Sequence, residues 1–180
     1  ARHLLRLRTL QKRTGGFTEL VPLPFVHMEA PIYLKGRARM GPTYREALLM
    51  HAVARLVLHP HITNIQTSWV KMGRDGIQAA LGAGVNDLGG TLMNETITRA
   101  AGSEHGQELP PHAMEALIRD LGRTPVQRTT SYGKPPLRQV QASFQAAPLA
   151  EVVNNPARKY ERDSDRQPLI RPGLEASGGD

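Results

Sequence analysis

The amino-acid sequence predicts an α/β protein: the C-terminal portion of a TIM-type (βα) barrel, incomplete in this chain. Helical and extended patterns alternate along residues 1–133, the helices are of similar length, and three extended segments end in polar side chains. A doubly wound sheet would alternate in the same way, but polar strand ends spread over several strands favour the barrel. Because residues that follow barrel strands share one face, we expect these polar ends to meet over one cavity.

Four helices are predicted from apolar periodicity and from the residues that end each pattern. In the first helix leucines lie on one side, arginines and lysines lie mostly on the other, and Gly15 and Gly16 follow its last turn. The second lies between Pro42 and Pro60, and glycines follow the third and fourth. The predicted ranges are residues 2–13, 44–58, 75–81 and 110–121.

Four extended segments separate these helices. The first, residues 16–29, contains prolines that exclude a helix and ends at His27 and Glu29. The second, residues 62–71, alternates β-branched residues with amides, which predicts an unusually polar strand face. The third enters Gly89 and Gly90, where the backbone can approach a ligand closely, and the fourth is predicted at 126–132.

The length and the local composition set the domain organisation. An eight-stranded barrel typically needs about 250 residues, whereas this chain has 180 and opens in a helix without a start methionine. We therefore expect residues 1–133 to be the C-terminal part of a longer barrel. Residues 134–180 are rich in proline, glutamine and glycine, which predicts a largely disordered tail with one short helix near residues 149–153.

Composition also limits the classes of partner. The chain has no cysteine, which excludes disulfides and thiolate metal sites within these residues. It has no apolar stretch long enough to cross a bilayer. The net charge of +7 is spread over helix faces with few aromatic residues, so it does not favour nucleic-acid binding. We expect a cytoplasmic protein with neither a nucleic-acid nor a membrane partner.

Two blocks of the sequence resemble a known family. Residues 15–73, which begin GGFTELVPLPFVHMEAPIY, and residues 84–133, which begin GVNDLGGTLMNETITRAAG, are similar to the C-terminal part of the second radical S-adenosylmethionine module of the FO synthase family. The resemblance covers most of residues 1–133 and leaves out the tail. It implies a radical S-adenosylmethionine barrel that acts in the biosynthesis of coenzyme F420.

The resemblance further implies a transferase reaction and its cofactors. In this family a reduced four-iron four-sulfur cluster cleaves S-adenosylmethionine, and the resulting radical oxidises L-tyrosine. The 4-hydroxybenzyl fragment is joined to 5-amino-6-(D-ribitylamino)uracil, and a first FO synthase module, fused or separate, closes the deazaflavin ring. The cluster is held by a Cys-x3-Cys-x2-Cys motif. Because this chain has no cysteine, we expect the isolated fragment to be inactive.

Strand-end positions provide the first candidate contacts to S-adenosylmethionine or substrate. Glu19 could bind an amino group, although an ion pair with Arg13 or another residue is an equal alternative. Asn64 and Gln66 could read the uracil edge, since an amide offers both a donor and an acceptor, or they could be satisfied inside the barrel. Trp69 could stack on a planar ligand or simply pack.

The other candidates lie in loops. His27, near Glu29, could contact a ligand or anchor its loop, and the pair lacks a third ligand for a metal. Glu95 could contact a ligand or, with Asn94, cap the next turn. The remaining loop candidates are Gly89, Gly90, Thr91 and His105. The sequence assigns neither a catalytic residue nor a metal site.

Three other functions stay open. A related menaquinone-pathway radical S-adenosylmethionine enzyme would differ in its substrate contacts. A non-redox barrel enzyme that acts on an anionic metabolite is compatible with the basic charge and the absence of cysteine. A non-catalytic barrel remnant could dock to a partner chain through its exposed strand edges.

Overall fold

A computed structural model describes residues 1–92, 95–106 and 108–147. Helices and short strands alternate along these residues, which confirms the α/β class. The helix predicted near 149–153 and the capping role predicted for Asn94 lie outside the described residues. The elements are α1 (Arg2–Thr14), β1 (Glu19–Leu20), α2 (Pro31–Leu34), α3 (Tyr44–Leu58), β2 (Asn64–Ile65), α4 (Trp69–Gly82), α5 (Ile97–Ala100), α6 (Pro111–Asp120) and α7 (Leu137–Phe144).

Three extended segments run side by side in the same direction. β1 pairs in parallel with β2, with Glu19 opposite Asn64, and a single parallel bridge joins Gln66 to Asp87 just after β2. Parallel neighbours need a long connection between them, and α3 and α4 provide it. The carboxyl ends of all three segments therefore lie at one edge.

Most strands are shorter in the structure than the sequence predicts. The first pairs only at Glu19–Leu20, because Pro22 and Pro24 have no N–H to donate to a ladder. The second ends at Ile65. Residues 126–132 form no strand in the structure; the N–H of Thr129 instead donates to the carbonyl of Gly133 in a tight turn.

Two helix predictions also need correction. α4 begins at Trp69 instead of residue 75, and Gly73, with φ 66°, breaks it after its first turn. Trp69 is therefore a helical residue, not part of a strand. α7 lies inside the segment predicted as a disordered tail, where it packs on α6.

The helix ends follow the sequence signals closely. The side chain of Thr43 accepts from the N–H of Glu46, and the carboxylate of Glu46 accepts from the N–H of Thr43, which forms a capping box at the start of α3. α1 ends at Gly15 in the left-handed conformation, with φ 62°. These local signals are why the bounds of both helices were predictable.

The core lies between the strands and α1, α3 and α4. α1 packs on α3, and α3 packs on α4. Ile65 and Val85, from two adjacent extended segments, are completely buried, and each such side chain contributes about 1.5–3 kcal/mol. The core thus holds the strands in place, and the polar groups lie at their carboxyl ends. Among the described residues no helix combines the length and apolarity needed to cross a membrane.

Candidate functional site

Polar side chains from the three strand ends meet two side chains that come much later in the sequence. Glu19 is in β1, Gln66 follows β2, and Asp87 is bridged to Gln66. Arg128 and Tyr132, from the segment before α7, contact all three of these side chains. We call Glu19, Gln66, Asp87, Arg128 and Tyr132 the strand-end cluster.

The hydroxyl of Tyr132 lies between two carboxylates. It is 2.5 Å from Glu19 Oε2 and 2.6 Å from Asp87 Oδ2. Burial raises the pKa of the Tyr132 phenol, and its hydrogen bonds to Asp87 and Glu19 raise that pKa further. The phenol therefore keeps its proton at neutral pH and acts as the donor.

The backbone at Tyr132 is unusual for a residue with a side chain. Its φ is 63°, in the left-handed region that residues other than glycine, asparagine and aspartate rarely adopt. The turn around it is held because Tyr132 N–H donates to the carbonyl of Thr129 and Gly133 N–H donates to Thr129 Oγ1. Strained backbone of this kind persists where surrounding contacts fix it. At Tyr132 those contacts are the bonds of the turn and the bonds of its side-chain hydroxyl to Glu19 and Asp87.

Arg128 connects the members of the cluster. Its Nε donates to Asp87 Oδ2 at 2.6 Å, one terminal nitrogen donates to Gln66 Oε1 at 3.2 Å, and the guanidinium lies 4.1 Å from the centre of the Tyr132 ring. Burial lowers the pKa of Arg128, but its hydrogen bond and charge attraction to Asp87, with contributions from Tyr132 and Glu19, leave that pKa above its ordinary value. The guanidinium is therefore a fixed positive charge.

The glycine loop, residues 89–91, begins two residues after Asp87. Gly89 has φ 73°, and a Cβ there would lie 2.7 Å from Gln66 Nε2. Its N–H donates to Asp87 Oδ1 at 2.7 Å. Gly90 has open space around its Cα, and its carbonyl accepts from Trp69 Nε1 at 3.0 Å. Glycine suits position 89 because it adopts the positive φ without strain and has no Cβ to crowd Gln66.

A cavity of about 660 Å³ lies beside the glycine loop. This volume is within the usual range of small-molecule sites, about 300–1,000 Å³. Its lining includes the polar side chains of Asp87, Arg128 and Tyr132, together with apolar side chains such as Ile118 of α6 and Phe144 of α7. The cavity can therefore take a molecule that has both a flat apolar part and hydrogen-bonding groups.

Some predicted candidates lie in or next to this site. Gln66 and Glu19 belong to the strand-end cluster, and Gly89, Gly90 and Thr91 line the cavity. Asn64 also lines the cavity, but its amide donates to the carbonyl of Thr18, the residue just before β1. That contact is the satisfied amide foreseen as the alternative to a ligand contact.

Other candidates make contacts with the protein itself. The indole ring of Trp69 is 5% exposed and packs in the core, with only its N–H directed at the glycine loop. His27 Nδ1 accepts from the N–H of Gly41, and its ring packs edge-on against Tyr33. These contacts correspond to packing for Trp69 and loop anchoring for His27.

Glu95 and His105 lie in the segment after the glycine loop. The carboxylate of Glu95 accepts from the N–H and the hydroxyl of Thr98 at the start of α5, as expected for a capping residue. The ring of His105 lies over Gly73, where an added Cβ would be 2.8 Å from it. His105 therefore covers the break in α4.

Asp87, Arg128 and Tyr132 were not among the predicted site residues. The position of Asp87 at the end of the third extended segment, two residues before Gly89, was a usable signal. Arg128 and Tyr132 gave a weaker one: a segment as polar as QRTTSYG is more typical of a turn at a site than of a core strand. In the part of the chain that the structure describes, no three histidine, aspartate or glutamate residues come together to hold a metal ion.

Comparison with known proteins gives consistent matches. Residues 14–141 match the family described as CofH/MqnC C-terminal region. The chain is 57% identical over 130 residues to an FO synthase of Mycobacterium leprae, a match that covers 72% of this chain and 15% of that protein. It is 52% identical over 141 residues to an FO synthase of Streptomyces coelicolor, covering 78% of this chain and 16% of that protein.

A further relative comes from an archaeon. A Methanopyrus kandleri protein named 5-amino-6-(D-ribitylamino)uracil--L-tyrosine 4-hydroxyphenyl transferase is 56% identical over 130 residues, which is 72% of this chain and 35% of that protein. The chain thus spans between about one seventh and one third of the length of these relatives.

Proposed function

This chain belongs to the CofH/MqnC C-terminal region family, and we propose that it forms part of the active-site wall of an FO synthase-type transferase in coenzyme F420 biosynthesis. Its substrates would be L-tyrosine and 5-amino-6-(D-ribitylamino)uracil, as the name of the Methanopyrus relative suggests. The observation that carries this proposal is the strand-end cluster beside a cavity of suitable size. Such polar groups at the carboxyl ends of parallel strands are the usual place for an α/β active site.

The wider architecture is part of the same proposal. We take residues 1–133 as the last strands and helices of a TIM-type radical S-adenosylmethionine barrel, with the rest of the barrel supplied by other residues. The parallel order of β1, β2 and the Asp87 segment supports this. We further propose a cytoplasmic enzyme that works with the first FO synthase module.

The residues of this chain suit organic ligands but not the iron–sulfur cluster. A four-iron four-sulfur cluster needs thiolate ligands, and the 180 residues contain no cysteine, so these residues cannot hold it. When bound elsewhere in the enzyme, the cluster would supply the electron that cleaves S-adenosylmethionine. The strand ends do suit organic ligands, since Glu19, Gln66 and Thr91 offer a carboxylate, an amide and a hydroxyl.

The chain's own residues would bind and orient the substrate. Gly89 and Gly90 would let the backbone approach it closely, and Thr91 would add a hydroxyl at the cavity wall. The apolar side chains of the cavity would exclude water from a planar ring. Asn64 and Trp69 would support the wall through their bonds to the carbonyls of Thr18 and Gly90. His27, Glu95 and His105 would hold their own segments through the contacts described above.

The related menaquinone-pathway radical enzyme remains the second candidate, because the matching family covers two branches. The curated relatives at 51–57% identity carry FO synthase or hydroxyphenyl transferase names, which favours the first. The two differ in whether the ribitylaminouracil is consumed.

An anaerobic assay tests the proposal. The complete gene product that contains this chain is reconstituted with iron and sulfide, reduced with dithionite, and given S-adenosylmethionine, L-tyrosine and 5-amino-6-(D-ribitylamino)uracil. We expect 5′-deoxyadenosine and an adduct of the uracil with the tyrosine-derived fragment by mass spectrometry. Formation of 5′-deoxyadenosine without that adduct, when both substrates are present, would rule the proposal out.

A chimera gives an independent check. Residues of this chain would replace the matching 130-residue region of the Mycobacterium leprae FO synthase. We expect the chimera to keep adduct formation, whereas a control chimera with the glycine loop deleted should lose it. A folded chimera that binds its cluster but makes no adduct would contradict the proposed role of this region.

A further inference from the structure

The strand-end cluster contains two carboxylates, and we propose that they have different tasks. Glu19 would be the one that binds the substrate, through a hydrogen bond from an amino or hydroxyl group. Asp87, Arg128 and Tyr132 would be positioning residues that hold Glu19 in place. Glu19 does not line the cavity itself, but it contacts Tyr132 and Arg128 of the cavity wall. This inference rests on the proposed function, since it assumes that the substrate extends from the cavity over the strand ends.

The hydrogen bonds of Asp87 leave it little capacity for a ligand. Its Oδ1 accepts from Gly89 N–H at 2.7 Å, and its Oδ2 accepts from Arg128 Nε and from Tyr132 Oη, each at 2.6 Å. The Asp87 side chain is 7% exposed. A carboxylate bonded on both oxygens and almost inaccessible to solvent is suited to fix its neighbours and not to receive a substrate.

Glu19 has the opposite environment. Its Oε2 faces Tyr132 Oη at 2.5 Å and a terminal nitrogen of Arg128 at 3.6 Å, while Oε1 makes no hydrogen bond to any residue that the structure describes. The Glu19 side chain is 32% exposed. Oε2 is thus held by the protein and Oε1 stays open to a ligand.

The charge balance strengthens this division. A phenol has a single proton, so Tyr132 cannot donate fully to both carboxylates at the same time. The cluster has two carboxylates and one guanidinium, and the shorter ion pair of Arg128 is with Asp87, at 2.6 Å against 3.6 Å for Glu19. The hydroxyl lies no closer to Asp87 than to Glu19, so its proton does not distinguish the two carboxylates. The surplus negative charge is on Glu19, because Arg128 pairs mainly with Asp87.

A charged acceptor of this kind selects a donor. Both proposed substrates have such a donor. L-Tyrosine has an ammonium group, and the ribityl chain of the uracil has hydroxyl groups. A charged acceptor binds such a donor with about 1.5–3 kcal/mol. Removing the charge should therefore weaken binding of one substrate by roughly 10- to 100-fold.

The test uses the complete gene product and measures binding as well as turnover. Glu19→Gln keeps the shape of the side chain and removes the charge; Tyr132→Phe keeps the ring under Arg128 and removes the hydroxyl. We expect Glu19→Gln to raise the Kd and KM of one substrate at least about 10-fold, with a smaller change in kcat. An effect on tyrosine identifies the ammonium group, and an effect on the ribitylaminouracil identifies a hydroxyl. Glu104→Gln and Tyr44→Phe, at exposed positions, are matched controls.

The coupling between the variants separates positioning from direct binding. If Tyr132 acts through Glu19, Tyr132→Phe should raise the same Kd in the parent but have almost no further effect in Glu19→Gln. An equal effect in both backgrounds, or an unchanged Kd for both substrates in Glu19→Gln, would overturn the inference. Substrate binding that depends on Glu19 without adduct formation would instead reject the proposed function and leave this division of tasks standing.

Discussion

Trp69 Nε1 donates to the carbonyl oxygen of Gly90 at 3.0 Å, and this bond ties the first turn of α4 to the glycine loop. The indole ring is buried in the core, while Gly90 lines the cavity. One side chain therefore connects the packed interior with the loop that lines the cavity.

Because Trp69 is the only tryptophan in the chain, its fluorescence should report on this connection. We expect emission characteristic of a buried indole, and a change in its intensity when a substrate displaces the glycine loop. Titration of each substrate into the 180-residue chain, in which Trp69 is the single tryptophan, measures the effect by fluorescence. Calorimetric binding without any change in emission would show that the loop does not respond to the ligand.

Replacing Trp69 by Phe tests the bond energetically. The variant loses one hydrogen bond and part of a buried ring, so the free energy of unfolding should fall by about 1–3 kcal/mol. Chemical denaturation of the 180-residue chain gives the value. An unchanged free energy of unfolding would mean that the Nε1 bond and the ring contribute nothing.

Gly89 and Gly90 should respond differently to substitution by alanine. Gly89→Ala places a side chain at positive φ, with its Cβ 2.7 Å from Gln66 Nε2, so the backbone is strained and the end of the Gln66 side chain must shift. We expect a loss of about 1–3 kcal/mol in the free energy of unfolding. Gly90→Ala, with open space and no positive φ, is the stability control and should change little. Equal losses in both variants would contradict the structure.

Arg55 holds the amino-terminal ends of two extended segments. Its guanidinium donates to the carbonyls of Gly84 and Thr63 and to the side chain of Asn86, at 2.6, 2.7 and 2.8 Å. A lysine cannot span this geometry, so Arg55→Lys should lower the free energy of unfolding by about 1.5–3 kcal/mol. Arg45→Lys, at an exposed position in the same helix, is the control. If both variants unfold at the same denaturant concentration as the parent, these bonds are not stabilising.

His51 should make the stability of the chain sensitive to acid. Its ring is completely buried and its Nδ1 lies 2.7 Å from the carbonyl of Ala47. Burial lowers the pKa of His51 below its ordinary value, with a smaller opposite effect from Ala47. The unfolded chain therefore takes up the proton first as the pH falls. The free energy of unfolding should decrease as the pH falls below about 6.5, and level off once the folded state is also protonated.

Thermal melts at pH 8 and pH 5 measure this sensitivity. The decrease in melting temperature should be smaller in His51→Leu than in the parent chain. It should persist in His112→Gln, which changes an exposed histidine. The same decrease in His51→Leu would assign the acid sensitivity to other groups.

The elements that the sequence predicts well are those with local causes. α1 and α3 could be bounded because Gly15, Pro42 and Pro60 act within a turn of the helix end. The strands could not, because pairing at Glu19–Leu20 or Asn64–Ile65 depends on a neighbour more than 40 residues away. Pattern alone indicated extended backbone but not where pairing stops.

The same distinction holds for the candidate site. Glu19, Gln66 and the glycine loop could be proposed from their places at strand ends, although their ligand contacts remain predictions. The partners Arg128 and Tyr132 are brought to them only by the return of the chain after α6, which no local pattern encodes. Trp69 was misplaced for a related reason: the turn of helix before Gly73 is too short to show a periodicity.

Tyr132, which donates to Glu19, lies 113 positions later in the chain. During synthesis on the ribosome β1 is made early, whereas the turn that carries Tyr132 follows after every other part of the cluster. The carboxylate pair therefore stays unbridged until the nascent chain has passed that turn. A chain truncated before that turn would keep the residues of the strands but would lack the contacts of Tyr132 with Glu19 and Asp87.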